Sequence, residues 1–439
     1  MKDLAAGVER RPIGRAFVWL AALGVFFYAS YGLANWLATL RAHVPSIVFS
    51  WERSVPFIAW TIIPYWTTNL FYSLSFFICR NRRELDAHGR RLLTAQIIAV
   101  TCFILLPLKF SWPKPDTDGI AGFFFETLGA FDKPFNQAPS LHVALSIALF
   151  SLYARILPRW ATIALSAWFV LVVASVMTTF QHHFIDIPTG ALLGLFCIWL
   201  WPLEGGARLT GWQVTHDARR RTLALRYMIA AAFFAAAGLA LHGGWLWLLW
   251  PAFAFLGVSA AYLALGPALF DKTPDGRIGW PVRLMLAPYL IGAWINSRLW
   301  TIGTPRAVAV ADGVFLGRFP SRRDLEAFGE VVDLTSELSR PRFAGVWTSL
   351  PMLDLAAPPA DRLRAAARVI ESARAQRSTL VCCALGYGRS VLAVAVWLTR
   401  TGRADTLDAA IAMLRAKRPR LSIHPDQLRA AREAVDGDR

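Results

Sequence analysis

Stretches of roughly 18 or more nearly charge-free residues fill the first three-fifths of this chain, near 16–38, 56–79, 92–109, 139–157, 161–180, 186–203, 224–242 and 244–265. Apolar runs of that length leave one economical fold. In hydrocarbon every backbone N–H and C=O must be satisfied within the segment, so each run is expected to be a membrane-crossing helix. The whole chain of 439 residues is 56% hydrophobic, with 19 Trp and 29 Phe, too apolar for an ordinary soluble protein of this size. The basic start, Met1 to Arg15, leads into the first run without a small-residue cleavage site. It is read as the flank of a first span rather than a removable signal.

Charge sets the expected sidedness. Arg10, Arg11 and Arg15 precede the first span, and Arg80, Arg82, Arg83, Arg90 and Arg91 fill the second short connection. Arg208, Arg219, Arg220, Arg221 and Arg226 follow the sixth span. The alternate connections are poorer in Lys and Arg, which places the N-terminus inside. The net charge of +17 is explained by these flanks, which meet anionic headgroups. No basic stripe interleaved with aromatics speaks for nucleic acid.

From about 266 to 302 the pattern is broken by Gly266-Pro267, Pro274, Pro281 and Pro288, and a surface-lying or re-entrant connector is expected. Residues 303–439 then read as a small α/β domain. Strands are expected at Ala307 to Leu316, Val331 to Leu334 and Thr379 to Cys383, and helices at Ala360 to Arg374, Val391 to Thr401 and Thr406 to Lys417. The organisation is thus 1–205, a six-span membrane domain; 206–302, about two further spans and the connector; and 303–439, the α/β domain. With eight spans that domain lies in the cytoplasm, where its thiols stay reduced.

Two groups of residues carry chemistry. In the α/β domain, Cys383 ends an apolar strand and is followed by Ala384, Leu385, Gly386, Tyr387 and Gly388, then Arg389 and Ser390 at a helix start. A strand-to-helix loop of this kind turns backbone N–H groups inward around an anion. A cysteine at its head is placed to act as a thiolate nucleophile, and the planar fork of Arg389 can grip two oxygens of a tetrahedral anion. Asp354, about thirty residues upstream, is a candidate general acid.

In the membrane domain, Lys109 and Lys114-Pro115 follow the third span, Gln137 to His142 open the fourth, and Gln181 to Asp186 join the fifth to the sixth. The span count brings all three to the outer face. His182 and Asp186, four apart, can meet if the turn is helical, and a carboxylate on one imidazole nitrogen frees the other as a nucleophile. His142 can then act as general acid, with Lys109, Lys114, Gln137 and Ser140 around the phosphate. His183 is left as a supporting residue.

These membrane blocks resemble the type-2 phosphatidic acid phosphatase superfamily. The resemblance implies that His182 is a phosphohistidine nucleophile, Asp186 its orienting partner and His142 the acid, in a six-helix core. Val176 stands where that superfamily usually has an arginine, and Lys114-Pro115 where it has Arg-Pro. The absence of the arginine resembles the inositol-phosphorylceramide synthase branch, so phosphatase and phospho-headgroup transferase both stay open. The α/β domain resembles the dual-specificity branch of the protein tyrosine phosphatase superfamily, supported further by Val332 to Glu337 and Leu316 to Arg318. That resemblance implies a cysteinyl-phosphate on Cys383, Arg389 on the equatorial oxygens, Asp354 as acid, Ser390 assisting thiolate departure, and no metal or other cofactor. Cys382 stands where that family usually has histidine.

The combined expectation is a bifunctional phosphatase of a bacterial inner membrane. Its partners are phospholipid substrates and the bilayer, with a phosphoprotein as the alternative inner substrate and no nucleic acid. The non-enzyme alternative is a transporter or flippase carrying a degenerate phosphatase domain.

Overall fold

Among the described residues, four segments are long and apolar enough to cross a membrane: Ile13–Thr39, Arg159–Thr178, Ala218–Leu241 and Gly243–Phe270. The computed structural model describes residues 11–210 and 212–437, and it is mostly helical. The chain divides into two compact units, Met1–Thr210 and Gly211–Arg439.

The first unit contains α1 (Ile13–Thr39), α2 (Ile62–Ile78), α3 (Arg82–Leu105), α4 (Gly119–Gly129), α5 (Leu141–Tyr153), α6 (Arg159–Thr178) and α7 (Asp186–Leu200). Helix α3 begins ten residues before the apolar run expected at 92. Asn81 caps it by accepting the Glu84 N–H at 2.8 Å, so the charged stretch 82–91 is helical too. Helices α5 and α7 are shorter than the expected spans. Ser140 begins α5, accepting the Val143 N–H, and α5 stops ahead of Pro158.

The close pairing of α5 with α7 rests on Gly190 and Gly194, four apart on one face. A Cβ at Gly190 would lie 2.4 Å from the Ser140 carbonyl oxygen, and one at Gly194 2.7 Å from that of Ala144. Only glycine lets the two backbones approach this closely, as in other small-residue helix pairs. The N-terminus of α5 is thereby fixed beside that of α7, with the Ser140 N–H donating to the Asp186 carbonyl at 3.0 Å.

The second unit opens with α8 (Ala218–Leu241), capped by Asp217, and α9 (Leu249–Ala260), which continues through a π-turn at Ala261–Leu265. Two short helices, α10 (Trp280–Met285) and α11 (Ala287–Leu299), occupy the connector region. A five-stranded sheet follows in the order β1-β2-β5-β3-β4: β1 (Ala307–Ala311), β2 (Val314–Arg318), β3 (Glu330–Thr335), β4 (Val346–Met352) and β5 (Thr379–Cys383). Only β1 and β2 pair antiparallel; the rest are parallel. The single strand expected over 307–316 is a hairpin. Asp312 and Gly313 both have positive φ, 45° and 77°, the backbone of a two-residue hairpin turn.

Helices α12 (Ala360–Arg374), α13 (Arg389–Arg400), α14 (Leu407–Lys417) and α15 (Pro425–Asp436) share a buried core with the Val381 and Cys383 face of β5. Helix α13 is wholly enclosed from Val391 to Leu398, which fits its apolar sequence. The opposite sheet face is covered by Phe319, Leu325, Leu338 and Trp347, against which Cys382 and Leu380 pack. The sheet also keeps a strap N-terminal to residue 303. Lys272 enters beside β3 and its Nζ donates to Asp333 Oδ2 at 2.5 Å and to the Thr335 carbonyl and Oγ1 at 2.8 Å. Neither charged side chain of that pair is exposed.

Candidate active sites

The β5–α13 junction builds the first constellation. Strand β5 is central, and its last residue, Cys383, is 3% exposed. Its Sγ accepts the Gly386 N–H at 3.2 Å and the Ser390 hydroxyl at 3.2 Å. Four carbonyls of the following loop are bound by surrounding groups, and its Gly386 N–H turns to the sulfur. The Ala384 oxygen accepts from the Phe319 N–H, Leu385 from Arg418 at 2.9 Å, Tyr387 from the Ser422 N–H at 2.9 Å, and Gly388 from Leu392 within α13. Gly386 is required twice over. Its φ is +75°, and a Cβ there would sit 2.6 Å from the Gly317 backbone.

Arg389, the first residue of α13, is 1% exposed. Its Nη1 donates to Glu337 Oε2 at 3.0 Å and to the Met352 carbonyl at 2.9 Å, and its Nη2 donates to Glu337 Oε1 at 2.7 Å. Asp354 Oδ1 lies 3.2 Å from the same Nη2. Nε is buried and has no partner among the described residues, so the Nε edge of the guanidinium is a desolvated donor. Burial works against the charge of Arg389, but Asp354 and Glu337 hold it firmly protonated. Burial likewise disfavours the Glu337 carboxylate, yet the Arg389 charge and hydrogen bonds hold it below its usual range.

Asp354 is pushed the other way. Although 39% of its side-chain surface is exposed, the protein around it desolvates the carboxyl. That effect outweighs the pull of Arg389, with the Glu337 charge adding to it, so its pKa is raised. A carboxyl with a raised value near a cysteine is suited to give a proton. Cys382 points to the other sheet face, and burial pushes its thiol well up, the state of an inert core cysteine.

Two members of this constellation were outside the expected set. Glu337 lies within the quoted Val332–Glu337 element and grips Arg389 through both oxygens. Arg418, 3% exposed, ties the Leu385 carbonyl and the Pro305 carbonyl and lies 4.8 Å over the Tyr387 ring. No local pattern marks Arg418 among the many arginines of this region.

The second constellation lies in the first unit. His182 Nδ1 is 3.0 Å from Asp186 Oδ2, which also accepts the His183 N–H at 3.1 Å. The connection is an irregular turn rather than the helical one expected, and the pair still meets because the Asp186 N–H folds back to the His183 carbonyl. The carboxylate oxygen can only accept, so Nδ1 carries the proton and Nε2 keeps its lone pair. His182 and His142 line one cavity of about 70 Å³ together with Tyr31, Tyr65, Asp132 and Asn136. His142 stacks on Tyr65 at 3.9 Å between ring centres, and its buried Nε2 has no partner among the described residues.

Lys114 Nζ donates to Gln181 Oε1 at 2.8 Å and Gln137 Nε2 to the Gln181 carbonyl at 3.1 Å, which gathers both next to His182. Ser140 instead joins α5 to α7 and serves as a cap. Lys109 is exposed, with its N–H on the Pro45 carbonyl. His183 is locked by a structural relay: its Nε2 accepts the Ser111 N–H, so Nδ1 donates to the fully buried Glu52 at 2.8 Å. Glu52 and the Tyr31–Asp132 hydrogen bond of 2.8 Å were not anticipated. Glu52 is the single acid of its connection, and that isolation was the available signal, whereas Asp132 shares its connection with Asp116, Asp118 and Glu126 and carries no such mark.

No family model matches the chain, and no curated protein matches it. Among solved structures, Tk-PTP in its active form is 26% identical over 30% of this chain and 98% of its own, with a TM-score of 0.28. Human DUSP28 is 23% identical over 30% and 94%, TM-score 0.28, and PTPMT1 in complex with PI(5)P is 17% identical over 30% and 95%, TM-score 0.28. Over about three-tenths of its length the chain is similar to solved phosphatases of the protein-tyrosine and dual-specificity kinds.

Proposed function

We propose that the chain is a membrane phosphatase with two chemically distinct sites, and that its cysteine site hydrolyses phosphomonoesters. The observation that carries this is Cys383 Sγ held by the Gly386 N–H and the Ser390 hydroxyl, on the loop that ends at Arg389, whose buried Nε has no partner among the described residues. The thiolate attacks phosphorus as the P–O bond to the leaving group breaks, and Asp354 gives its proton to the departing oxygen. Water then attacks the cysteinyl-phosphate, Asp354 takes a proton back, and the S–P electron pair returns to Cys383, stabilised by Ser390. The loop side chains Ala384, Leu385 and Tyr387 carry no charge, so a singly phosphorylated group suits the pocket better than a polyphosphorylated one.

The substrate we propose is a lipid phosphomonoester presented at the bilayer. The support is that the acid loop is bonded to Tyr262, a residue of the candidate membrane segment Gly243–Phe270, which favours a pocket mouth at the membrane over one open to a folded phosphoprotein. The Lys/Arg pattern of the connections supports a cytoplasmic side for this domain. Full-length chain in lipid nanodiscs should release phosphate from p-nitrophenyl phosphate and from a short-chain phosphatidic acid. Cys383→Ser should abolish the first activity.

For the first unit we propose a histidine-dependent reaction on a lipid phosphate, in a six-helix core, with His182 as nucleophile, Asp186 orienting it and His142 as proton donor. Lys114 and Gln137 would hold the phosphate region, with Lys109 near the mouth. The reading rests on the His182–Asp186 pair opening into the cavity that His142 shares. Free phosphate released from a lipid phosphate identifies a hydrolase. A headgroup appearing on a second lipid identifies a transferase.

A further inference from the structure

The acid loop of the cysteine site is fastened in an unusual way. Three successive carbonyls, those of Asp354, Leu355 and Ala356, are each bound by a side chain from a different element. Tyr262 Oη donates to the Asp354 carbonyl at 2.9 Å, Arg219 Nε to the Leu355 carbonyl at 2.6 Å, and Gln427 Nε2 to the Ala356 carbonyl at 3.0 Å. Leu355 is held at φ +57°, a left-handed conformation that a leucine keeps only where its surroundings over-determine it. The Ala356 N–H closes back on the Asp354 carbonyl at 2.7 Å.

Two of the three clamps come from the apolar helices. Tyr262 is 2% exposed and stacks on Tyr227 of α8 at 5.3 Å; Tyr227 in turn meets Tyr289 of α11 edge-on. Its position depends on the π-turn at Ala261–Leu265, where one extra residue per turn rotates the ring out of the α-helical register. The π-turn is itself secured from the first turn of α8. Arg220 Nε donates to the Tyr262 carbonyl at 3.1 Å and Nη2 to that of Ala261 at 3.4 Å, while its neighbour Arg219 reaches the acid loop. One helix start therefore holds both the loop and the turn that carries the second clamp.

We infer that Tyr262 and Arg219 are positioning residues for the general acid: the apolar helices lock the Asp354 loop in its working place beside Arg389, so protonation of the leaving group depends on them. This rests on the cysteine-phosphatase reading above. It also has a kinetic signature that a merely structural role lacks. p-Nitrophenolate leaves with little help, whereas an alkoxide needs its proton in the transition state, so loss of acid positioning penalises alkyl esters selectively.

The test compares turnover of p-nitrophenyl phosphate with that of short-chain phosphatidic acid by the full chain in nanodiscs, for the wild type, Tyr262→Phe, Arg219→Gln, Asp354→Asn and Cys383→Ser. The experiment is run in a His182→Ala background, so that only the cysteine site contributes. Tyr262→Phe removes one hydroxyl and Arg219→Gln alters a partly exposed residue. The ratio of the two rates within one sample is independent of how much of it is folded. Both variants should keep p-nitrophenyl phosphate turnover within about threefold and lower the alkyl-to-aryl ratio by about tenfold or more, in the direction set by Asp354→Asn. An unchanged ratio in both variants, with Cys383→Ser inactive, overturns the positioning role alone. Activity persisting in Cys383→Ser overturns the cysteine reading, and the positioning role with it.

Discussion

Glu337 holds both Nη atoms of Arg389, at 3.0 and 2.7 Å, and leaves Nε as the guanidinium nitrogen with no partner among the described residues. The pair therefore fixes which edge of the guanidinium meets an anion. An arginine free to rotate would lose that selectivity and would keep only Asp354 as a buried counter-charge.

Glu337→Gln should lower kcat/KM at the cysteine site by roughly 10²-fold, by the logic that misplacing a positioned group costs on that order. It should also destabilise the second unit by about 3–5 kcal/mol, the range for breaking a buried ion pair from one side. The Glu337 carboxyl is held below its ordinary value of 4.5. Its stabilising contribution is therefore complete above that value and lost as pH falls through the lower folded one. Thermal unfolding of wild type and variant should converge in acid below 4.5 and diverge at neutral pH.

Asp354 carries the opposite sign, with a carboxyl raised above its ordinary 3.8. As general acid it must be protonated, so turnover of an alkyl phosphate should fall as pH rises through the raised value. Asp354→Asn should flatten that alkaline limb and lower alkyl turnover by about 10²–10⁴-fold. A raised carboxyl lends stability only while protonated and loses it as pH rises through the folded value. At neutral pH the asparagine variant should thus unfold at a higher temperature than wild type, a trade of stability against activity.

The local parts of this site were legible in the sequence. The strand ending at Cys383, the glycine-bearing loop and the helix from Arg389 follow from apolar periodicity and loop composition, and the helix at Ala360–Arg374 ends where its pattern ends. The 307–316 hairpin was missed although Asp312-Gly313 is a turn dipeptide, because the residues flanking it are apolar enough to read as one strand. What the sequence could not give is the set of long-range bonds from side chains to carbonyls: Arg418 to Leu385, Tyr262 to Asp354, Arg219 to Leu355. Such bonds depend on tertiary approach alone and leave no periodicity behind. In the first unit, Gly190 and Gly194 passed as ordinary residues of an apolar run, yet they set how near α5 and α7 come.

Lys272 makes a separate prediction about domain limits. Lys272→Met removes the cation from a wholly buried pair and leaves Asp333 bonded only to neutral groups, Trp347 and Thr335. We expect a loss of about 3–5 kcal/mol in the second unit, seen as a lower unfolding temperature of the full chain. A fragment beginning at residue 303 lacks the same cation and should unfold more readily than the full-length protein.

In the first unit, Asp186→Asn should favour the wrong His182 tautomer and cut lipid-directed turnover by about 10²–10⁴-fold. Gly190→Ala should also impair it, since the added methyl must push α5 away from α7. Neither change should alter p-nitrophenyl phosphate turnover at Cys383, which is the control that separates the two sites.

The most direct test of the cysteine chemistry is to trap its intermediate. Full-length protein turning over an alkyl or aryl phosphate is quenched in acid, digested and read by peptide mass spectrometry. Phosphate is expected on the peptide bearing Cys383, absent in Cys383→Ser and unaffected by His182→Ala. Phosphate found only on other peptides, or steady-state turnover undiminished in Cys383→Ser, would contradict it.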